Sequence, residues 1–201
     1  MKGKFIVFEG GEGVGKTTVI KKVEEWLGSK NINFISTREP GGLKSAEDIR
    51  KVIMDNDLLA STEALLFAAA RNEHTIKKII PALEEGKVVL CDRYALTSII
   101  YQGILCGCGI DFVCDVNKIC IHLDLTIILD ADPYETIKRI KDNDREINKF
   151  DEMDINFHKK VRDVYLELGE QYLNHEVVDA SGTKEEVFGK VTEVIEKYFN
   201  L

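Results

Sequence analysis

Positive charge is scarce in this 201-residue sequence. Its 27 Lys and Arg residues are outnumbered by 35 Asp and Glu residues, which gives a formal net charge of −8. Non-specific binding to nucleic acid or to an anionic membrane surface requires a basic face, and this balance argues against both. An anionic ligand of this protein must therefore be held by a local cluster of cations.

Long apolar segments and linkers rich in Pro, Gly or Ser are also missing. No apolar run approaches the roughly 18 residues that a membrane-spanning helix needs. The amino-terminal residues lead directly into a strand-like pattern without the apolar region of a signal peptide, so we expect a cytoplasmic protein. Since no internal repeat or low-complexity tract is present, we predict one domain over residues 1–201.

The cysteines lack the paired C-x2-C spacing of most structural zinc sites. Four of the five cysteines lie in CGCGIDFVCDVNKIC, and His122 follows this segment. Their number is odd and the sequence has no secretory context, which favours reduced, packed thiols. On sequence alone a metal site in this segment stays open as the alternative.

Five β-rich apolar runs alternate with helical patterns along the chain. The runs are FIVFE, INFIST, KVVLCD, LTIILDA and EVVDA. Apolar residues at helical spacing predict helices between them, at residues 19–27, Ala46–Met54, from a Ser61 cap to a kink or end near Pro81, Leu96–Leu105, Met153–Leu173 and Lys184–Phe199. Nearly all-apolar strands alternating with helices predict a doubly wound α/β fold, with a parallel sheet covered on both faces. Ligands should then lie at the carboxyl ends of the strands.

The segment FIVFEGGEGVGKTT contains a phosphate-binding motif. Residues Gly10 to Thr17 match G-x-x-x-x-G-K-[ST] between a predicted strand and a predicted helix. In such a loop, backbone N–H groups face the β-phosphate, Lys16 contacts the β and γ oxygens and the Thr17 hydroxyl binds Mg²⁺. The predicted ATP-binding residues are Gly10, Gly11, Glu12, Gly13, Val14, Gly15, Lys16, Thr17 and Thr18.

This motif leaves the kind of P-loop protein open. The sequence has no N-K-x-D-like guanine motif, which argues against a GTPase, and it is short for a motor or transporter ATPase. A small kinase that acts on a nucleotide, a nucleoside or another metabolite remains.

Five segments in order resemble the thymidylate kinase family, of the bacterial kind, over nearly the whole chain. They are FEGGEGVGKTT, TREPGG, LLFAAARNEH, CDRYALTSIIYQG and FHKKVRDVYLEL. The resemblance implies transfer of the ATP γ-phosphoryl group to dTMP with Mg²⁺, giving dTDP for dTTP and DNA synthesis. It also implies a P-loop NTPase-type fold with five parallel strands, a short lid and a homodimer. A deoxynucleoside kinase, another nucleoside monophosphate kinase and a non-catalytic nucleotide binder are the alternatives.

The resemblance also implies the acceptor-binding residues. Phe67 would stack on the thymine ring, and Arg71, one helical turn further on, would recognise a thymine carbonyl. Arg93 would bind the 5′-phosphate, Asp92 would act through Mg²⁺ together with Thr17, and Glu12 would contact the sugar 3′-hydroxyl. The remaining residues predicted to bind dTMP are Arg38, Arg50, Ser98, Tyr101 and Gln102.

The position of the catalytic arginine distinguishes two kinds of thymidylate kinase. Some members carry it in the phosphate loop, where this chain has Val14, whereas the bacterial kind supplies it from the lid. We predict the lid at about residues 139–151 and Arg145 as its catalytic arginine, with Lys149 where many relatives have a second arginine. Lys16, Asp92 and Arg93 complete the predicted catalytic residues.

Three further expectations concern charged residues near these motifs. Glu9 should be a structural acid at the end of the first strand, with a supporting role next to the Mg²⁺ ligands as the alternative. Arg139 should either finish its helix or lie on the adenine side. Ala70 stands where many relatives carry an acid, so we expect Arg71 to lack an ion pair that orients it.

Overall fold

A computed structural model describes residues 3–142, 147–170 and 174–199. Five strands form one sheet in the order β2-β3-β1-β4-β5. The pairs β2–β3 and β4–β5 are parallel, with Arg38 opposite Asp92 and Asp130 opposite Asp179. The strands are β1 Lys4–Glu9, β2 Phe34–Arg38, β3 Val88–Asp92, β4 Leu125–Asp130 and β5 His175–Asp179. The parallel α/β fold predicted from the sequence is confirmed.

Helices connect the strands. They are α1 Lys16–Ser29, α2 Lys44–Asp55, α3 Ala60–His74, α4 Ile80–Glu84, α5 Ala95–Ser98, α6 Ile110–Val116, α7 Pro133–Lys141, α8 Ile155–Gly169 and α9 Lys184–Phe199. Two π-helical segments, Thr75–Ile79 and Ile99–Leu105, follow α3 and α5 directly. No helix in the described ranges is both long enough and apolar enough to cross a membrane.

Several predicted helix boundaries were wrong. Helix α3 begins at Ala60 after Leu59, so Ser61 lies inside the helix and is not its cap. Near Pro81 the outcome is mixed. The regular α-helix is interrupted by a π-helical segment, Thr75–Ile79, in the turn before the proline, where the sequence predicted a kink or an end, but α4 then continues past Pro81 to Glu84. A proline removes one backbone donor, and a wider turn before it can accommodate the loss. Helix α8 ends at Gly169, short of the predicted end.

The structure of the cysteine-rich segment also differs from what the sequence predicted. It contains α6, which the sequence patterns did not predict because the helix has only seven residues. Among the described residues no group of three or more His, Cys, Asp or Glu side chains could hold a metal ion. Burial, above all, raises the pKa of the Cys120 thiol, which agrees with a reduced, protonated side chain.

The chain divides into two compact units. Unit 1 contains residues 1–7 and 33–124, and unit 2 contains residues 8–32 and 125–201. In unit 1, Phe5, Val89 and Tyr94 belong to a fully buried core, with Phe5 edge-on to Tyr94 at 5.1 Å between ring centroids. In unit 2, Gly169 of α8 allows close packing, since a Cβ there would lie 2.9 Å from Ile128 Cδ1. That the 201 residues form one domain stays a prediction.

Candidate nucleotide-binding site

The phosphate loop in unit 2 needs glycine at specific points. Gly13 has φ 74°, and a Cβ there would lie 2.5 Å from the Thr136 carbonyl oxygen. Gly15, with φ 99°, immediately precedes the first residue of α1. Residues with a side chain rarely adopt such angles. The loop therefore closes tightly and leaves the amino terminus of α1 at its end, where backbone N–H groups favour an anion.

Lys16 spans this loop. Its side chain is nearly buried, and its Nζ donates to the carbonyl oxygens of Gly10 at 3.0 Å and Gly11 at 2.9 Å. Thr17 follows in the first turn of α1 and is exposed. Val14 is buried, so the loop is apolar at this position. The cation of this loop is thus the lysine at its end.

The surroundings of the loop contain a second set of polar side chains in unit 2. Glu9 is fully buried and accepts a hydrogen bond from Tyr165 Oη at 2.8 Å, in agreement with a structural role. Arg162 donates to both carboxylate oxygens of Asp130, at 2.6 and 2.8 Å. A small cleft beside the loop is lined by Arg162, Asp130 and Glu12.

In unit 1, helix α3 places four functional candidates on one face. Glu63, Phe67, Arg71 and His74 are spaced by four, four and three residues, and all four are buried. Side chains at such spacing line one face of a helix. The sequence predicted Phe67 and Arg71 on this face, but it did not point to Glu63 or His74.

Arg71 is the centre of what we call the Arg71 cluster, defined as Arg71 with Glu39, Tyr94, Ser98 and Asn117. Its Nε donates to Glu39 Oε2 at 2.6 Å, and its Nη1 donates to Asn117 Oδ1. Its Nη2 donates to the Tyr94 carbonyl and to Ser98 Oγ, both at 3.1 Å. The expectation that Arg71 lacks an orienting ion pair was therefore wrong, because Glu39 supplies the carboxylate from another segment.

Electrostatics keep Arg71 charged although it is only 2% exposed. Burial acts to lower its pKa, but attraction to Glu39, with smaller contributions from other neighbours, leaves the pKa above its ordinary value. Burial of an isolated charge is costly, whereas a paired and hydrogen-bonded charge is tolerated. The pKa of Tyr94 is also raised, chiefly by burial, so this phenol stays neutral.

The other predicted nucleoside-pocket residues lie on the segment after β3. Ser98 contacts Arg71, while Tyr101 and Gln102 are buried in the π-helical segment. Gln102 Nε2 donates to Glu63 Oε2 at 3.4 Å. Gln102 Oε1 is buried and has no hydrogen-bond partner among the described residues.

The predicted phosphate-side residues of unit 1 do not all cluster. Arg93 follows β3 with φ 71°, donates to Thr97 Oγ1 at 3.3 Å and lies over the Tyr101 ring. Arg38 instead pairs with Glu47 of α2 at 3.1 Å, largely exposed. Arg50 lies one turn beyond Glu47 on the same helix. Positive φ is rare for a residue with a side chain, so the Arg93 backbone is strained where it ends the strand.

The lid is described only in part. Arg145, the predicted catalytic arginine, lies outside the described residues, since residues 143–146 are not described. Lys149 follows Asn148, whose backbone N–H donates to Asp151 Oδ2 at 2.9 Å, and its ammonium lies over the Phe150 ring. Arg139 lies in α7 and donates to the Ala180 carbonyl at 3.3 Å, which ties the helix to the segment after β5.

The residues predicted to bind Mg²⁺ have suitable chemistry. Thr17 offers a hydroxyl at the start of α1, and Asp92 offers a carboxylate at the end of β3. Mg²⁺ prefers oxygen ligands and commonly takes only one or two from the protein, with the rest from water and phosphates.

The protein has a glycine-rich loop with a buried lysine, placed between a strand of a parallel sheet and a helix. This arrangement defines a P-loop nucleotide-binding protein. The family profile described as Thymidylate kinase matches residues 8–191. The chain is 46% identical over 198 residues to a thymidylate kinase of Clostridium novyi (strain NT), covering 94% of this chain and 97% of that protein. A thymidylate kinase of Geobacillus sp. (strain WCH70) is 45% identical over 196 residues, covering 94% and 93%. The chain belongs to the thymidylate kinase family.

Sequence reasoning missed three residues of unit 1 that surround Arg71. Glu39 lies within the recognised segment TREPGG, and His74 lies one turn beyond Arg71 on α3. Both residues could have been found from the sequence, Glu39 from its motif and His74 from its helical spacing to Arg71. Asn117 lies in the cysteine-rich segment, where nothing in the sequence pattern indicated a contact with Arg71.

Proposed function

We propose that this protein transfers the γ-phosphoryl group of ATP to dTMP, forming dTDP and ADP for the supply of dTTP to DNA synthesis. Membership of the thymidylate kinase family supports this reaction. The phosphate loop with Lys16 supports ATP as the donor. The choice of acceptor depends on the base site of unit 1.

The observation that carries the proposal is the hydrogen-bonding polarity of Arg71 and Gln102. A carboxylate only accepts hydrogen bonds, so contact with Glu63 fixes the Gln102 amide with its nitrogen towards Glu63 and its oxygen available. Arg71 can only donate. A donor and an acceptor match the carbonyl and the adjacent N3–H of thymine, whereas cytosine offers an amino group and a bare nitrogen there.

The remaining predicted contacts complete the acceptor site in this proposal. Phe67 stacks on the base, and Tyr101 packs against the sugar and excludes a ribose 2′-hydroxyl. Glu12 accepts a hydrogen bond from the 3′-hydroxyl. Arg93 binds the 5′-phosphate, because a guanidinium fork suits that anion. Arg38 and Arg50 add positive charge on the phosphate side.

Phosphoryl transfer requires stabilisation of charge on the transferred group. Lys16 would leave its two carbonyl partners to contact the β and γ oxygens of ATP. Thr17 and Asp92 would hold Mg²⁺, which neutralises phosphate charge when bound. Lid Arg145 would supply the further cation that bacterial relatives carry there.

We also propose a homodimer built from single-domain protomers in the cytoplasm. Val52, Leu59, Leu65 and Ile76 of unit 1 are apolar and between 47% and 76% exposed. A contiguous patch of exposed apolar side chains favours an interface, and these four are the candidates for one in unit 1. Sedimentation analysis should give twice the 22.7 kDa protomer mass, and a monomer at micromolar concentration would reject the dimer.

The test of the function is ATP turnover with dTMP, dUMP, dCMP, dGMP and thymidine at equal concentration. We expect the highest kcat/KM with dTMP. Highest activity with thymidine would indicate a deoxynucleoside kinase, and highest activity with dGMP would indicate another nucleoside monophosphate kinase. Absence of turnover with all five, with ATP still bound, would indicate a non-catalytic binder.

The lid assignment has its own test. Replacing Arg145 by Ala should lower kcat by about 10³-fold or more, because an arginine that stabilises the transferred group can contribute that much. The KM for dTMP should change far less. Lys149→Ala is the comparison variant, and an unchanged kcat in Arg145→Ala with a large loss in Lys149→Ala would transfer the role to Lys149.

A further inference from the structure

The two carboxylate oxygens of Glu39 have different partners. Oε2 accepts from Arg71 Nε at 2.6 Å, and Oε1 contacts His74 Nδ1 at 2.9 Å. All three side chains are at most 2% exposed. A carboxylate that bridges two buried side chains restricts both, since neither can rotate without leaving a buried polar group unpaired.

The chemistry of Glu39 also determines the proton on His74. A carboxylate paired with a guanidinium is ionised and can only accept, so His74 Nδ1 must carry a hydrogen. The other ring nitrogen, Nε2, lies 2.7 Å from Thr37 Oγ1, and a hydroxyl can donate to it or accept from it. The chain Arg71–Glu39–His74–Thr37 is therefore continuous, and it joins α3 to the end of β2.

The backbone closes over this chain of contacts. Gly42 has φ 79°, and a Cβ there would lie 2.4 Å from Thr37 Oγ1 and 2.6 Å from His74 Nε2. Lys78 Nζ donates to the Gly42 carbonyl at 3.0 Å. The loop that carries Glu39 is thus packed against His74 and cannot shift without disturbing it.

Hydrogen bonds to neighbouring residues occupy most of the N–H donors of the Arg71 guanidinium. An arginine has five N–H groups. One is donated to Glu39, one to Asn117, and two to Tyr94 and Ser98. Among the residues in the described ranges, the second N–H of Nη1 has no partner. A single donor is therefore left for a ligand.

We propose that Glu39 and His74 are positioning residues for base recognition, because they fix the Arg71 guanidinium so that one N–H donor meets the acceptor base. This inference rests on the proposed function, in which Arg71 donates to a thymine carbonyl. Neither residue touches the nucleotide. Their effect is on discrimination between bases, with little effect on the transfer of the phosphoryl group.

The experiment compares wild type with Glu39→Gln, His74→Leu, His74→Asn and Glu73→Gln. His74→Leu removes the donor to Glu39 at similar volume, whereas His74→Asn retains a donor near the position of Nδ1. Glu73→Gln is the matched control, since Glu73 neighbours His74 on α3 and its partners among the described residues are the side chains of Ser45 and Lys77. For each variant the KM for dTMP, the kcat and the inhibition constant of dCMP against dTMP are measured.

The ratio of the dCMP inhibition constant to the dTMP KM reports discrimination. We expect it to fall about tenfold or more in Glu39→Gln and His74→Leu, as for loss of a well-aligned charged hydrogen bond. It should stay within threefold of wild type in His74→Asn and Glu73→Gln, and kcat should fall less than the ratio. Preference for dTMP over dUMP, which differ by a methyl group, should not change.

A purely structural role would lower thermal stability and leave this ratio unchanged, and that result would overturn the inference. So would an equal loss of discrimination in His74→Asn and His74→Leu. Where Glu39→Gln fails to fold, the two His74 variants and Thr37→Val decide the matter, with Thr37→Val expected to lower the ratio by about threefold or less. Failure of the proposed function is separate, because it would appear in wild type as poor use of dTMP.

Discussion

Lys16 and Arg71 are both nearly buried cations, yet the two units hold them differently. Lys16 is held by the carbonyl oxygens of Gly10 and Gly11, six and five residues away in its own loop. Arg71 is held by a carboxylate 32 residues away and by an amide 46 residues away. These hydrogen bonds of Lys16 are local and go to backbone carbonyls, whereas those of Arg71 are long-range and include an ion pair.

This difference separates a cation that can move from one that cannot. Neutral carbonyls release an ammonium to phosphate oxygens at modest cost, because the charge-assisted contact that replaces them is stronger. An ion pair in a buried cluster holds its guanidinium before the ligand arrives, which reduces the cost of ordering on binding. We therefore expect Lys16 to act on phosphoryl transfer and Arg71 to act on acceptor binding.

The largest predicted effect is that of Lys16→Met. Loss of the ammonium should lower kcat by about 10³-fold or more, because no other cation of the phosphate loop can replace it. Steady-state turnover with saturating ATP and dTMP measures this, with circular dichroism as the control for folding. A loss of less than tenfold would mean that the loop lysine is not the principal cation.

Glu39→Gln should be the most destabilising of the carboxylate changes. It leaves the Arg71 charge buried without its counter-charge, which costs about 3–5 kcal/mol in comparable pairs. Urea denaturation measures the free energy of unfolding. The double variant Glu39→Gln/Arg71→Met should be more stable than the sum of the single changes predicts, and strict additivity would show that the two side chains are not coupled.

Glu63→Gln tests the other half of the base site. A glutamine can donate as well as accept, so the Gln102 amide would be free to turn and present its nitrogen to the base. Discrimination between dTMP and dCMP should fall by about three- to tenfold, with little change in kcat. If the ratio of the dCMP inhibition constant to the dTMP KM stays at its wild-type value, Glu63 does not orient Gln102.

The smallest effect is expected for Glu47→Gln. Its ion pair with Arg38 has side chains that are 40% and 56% exposed, and pairs of this kind contribute about 0–1 kcal/mol. Urea denaturation should therefore give a much smaller loss in the free energy of unfolding for Glu47→Gln than for Glu39→Gln. A loss as large as that of Glu39→Gln would remove the distinction between the buried and the exposed pair.

The sequence predicted the phosphate loop and the parallel sheet because their signals are local. Residues Gly10 to Thr17 are contiguous, and the alternation of apolar strands with helices needs no knowledge of which elements touch. The Arg71 cluster was only half predicted. Arg71 and Ser98 were expected near the nucleotide, but the contact of Glu39 with Arg71 depends on the parallel pairing of β2 with β3 and on the packing of α3, which no short pattern encodes.

Ala70 is a second case in which the local sequence did not predict a long-range contact. Because Ala70 offers no carboxylate beside Arg71 in the sequence, we expected Arg71 to lack an orienting ion pair. The carboxylate of Glu39 reaches the same guanidinium from a distant segment. Likewise α6, too short for a clear helical period, brings Asn117 to Arg71.

The dissociation constant of dTMP, measured calorimetrically for wild type, Lys16→Met and Arg71→Met, tests the division of roles most directly. We predict that Lys16→Met binds dTMP within about threefold of wild type, and that Arg71→Met binds it about tenfold or more weakly, as for loss of a charged hydrogen bond. The reverse result, with dTMP binding lost in Lys16→Met and retained in Arg71→Met, would contradict the account.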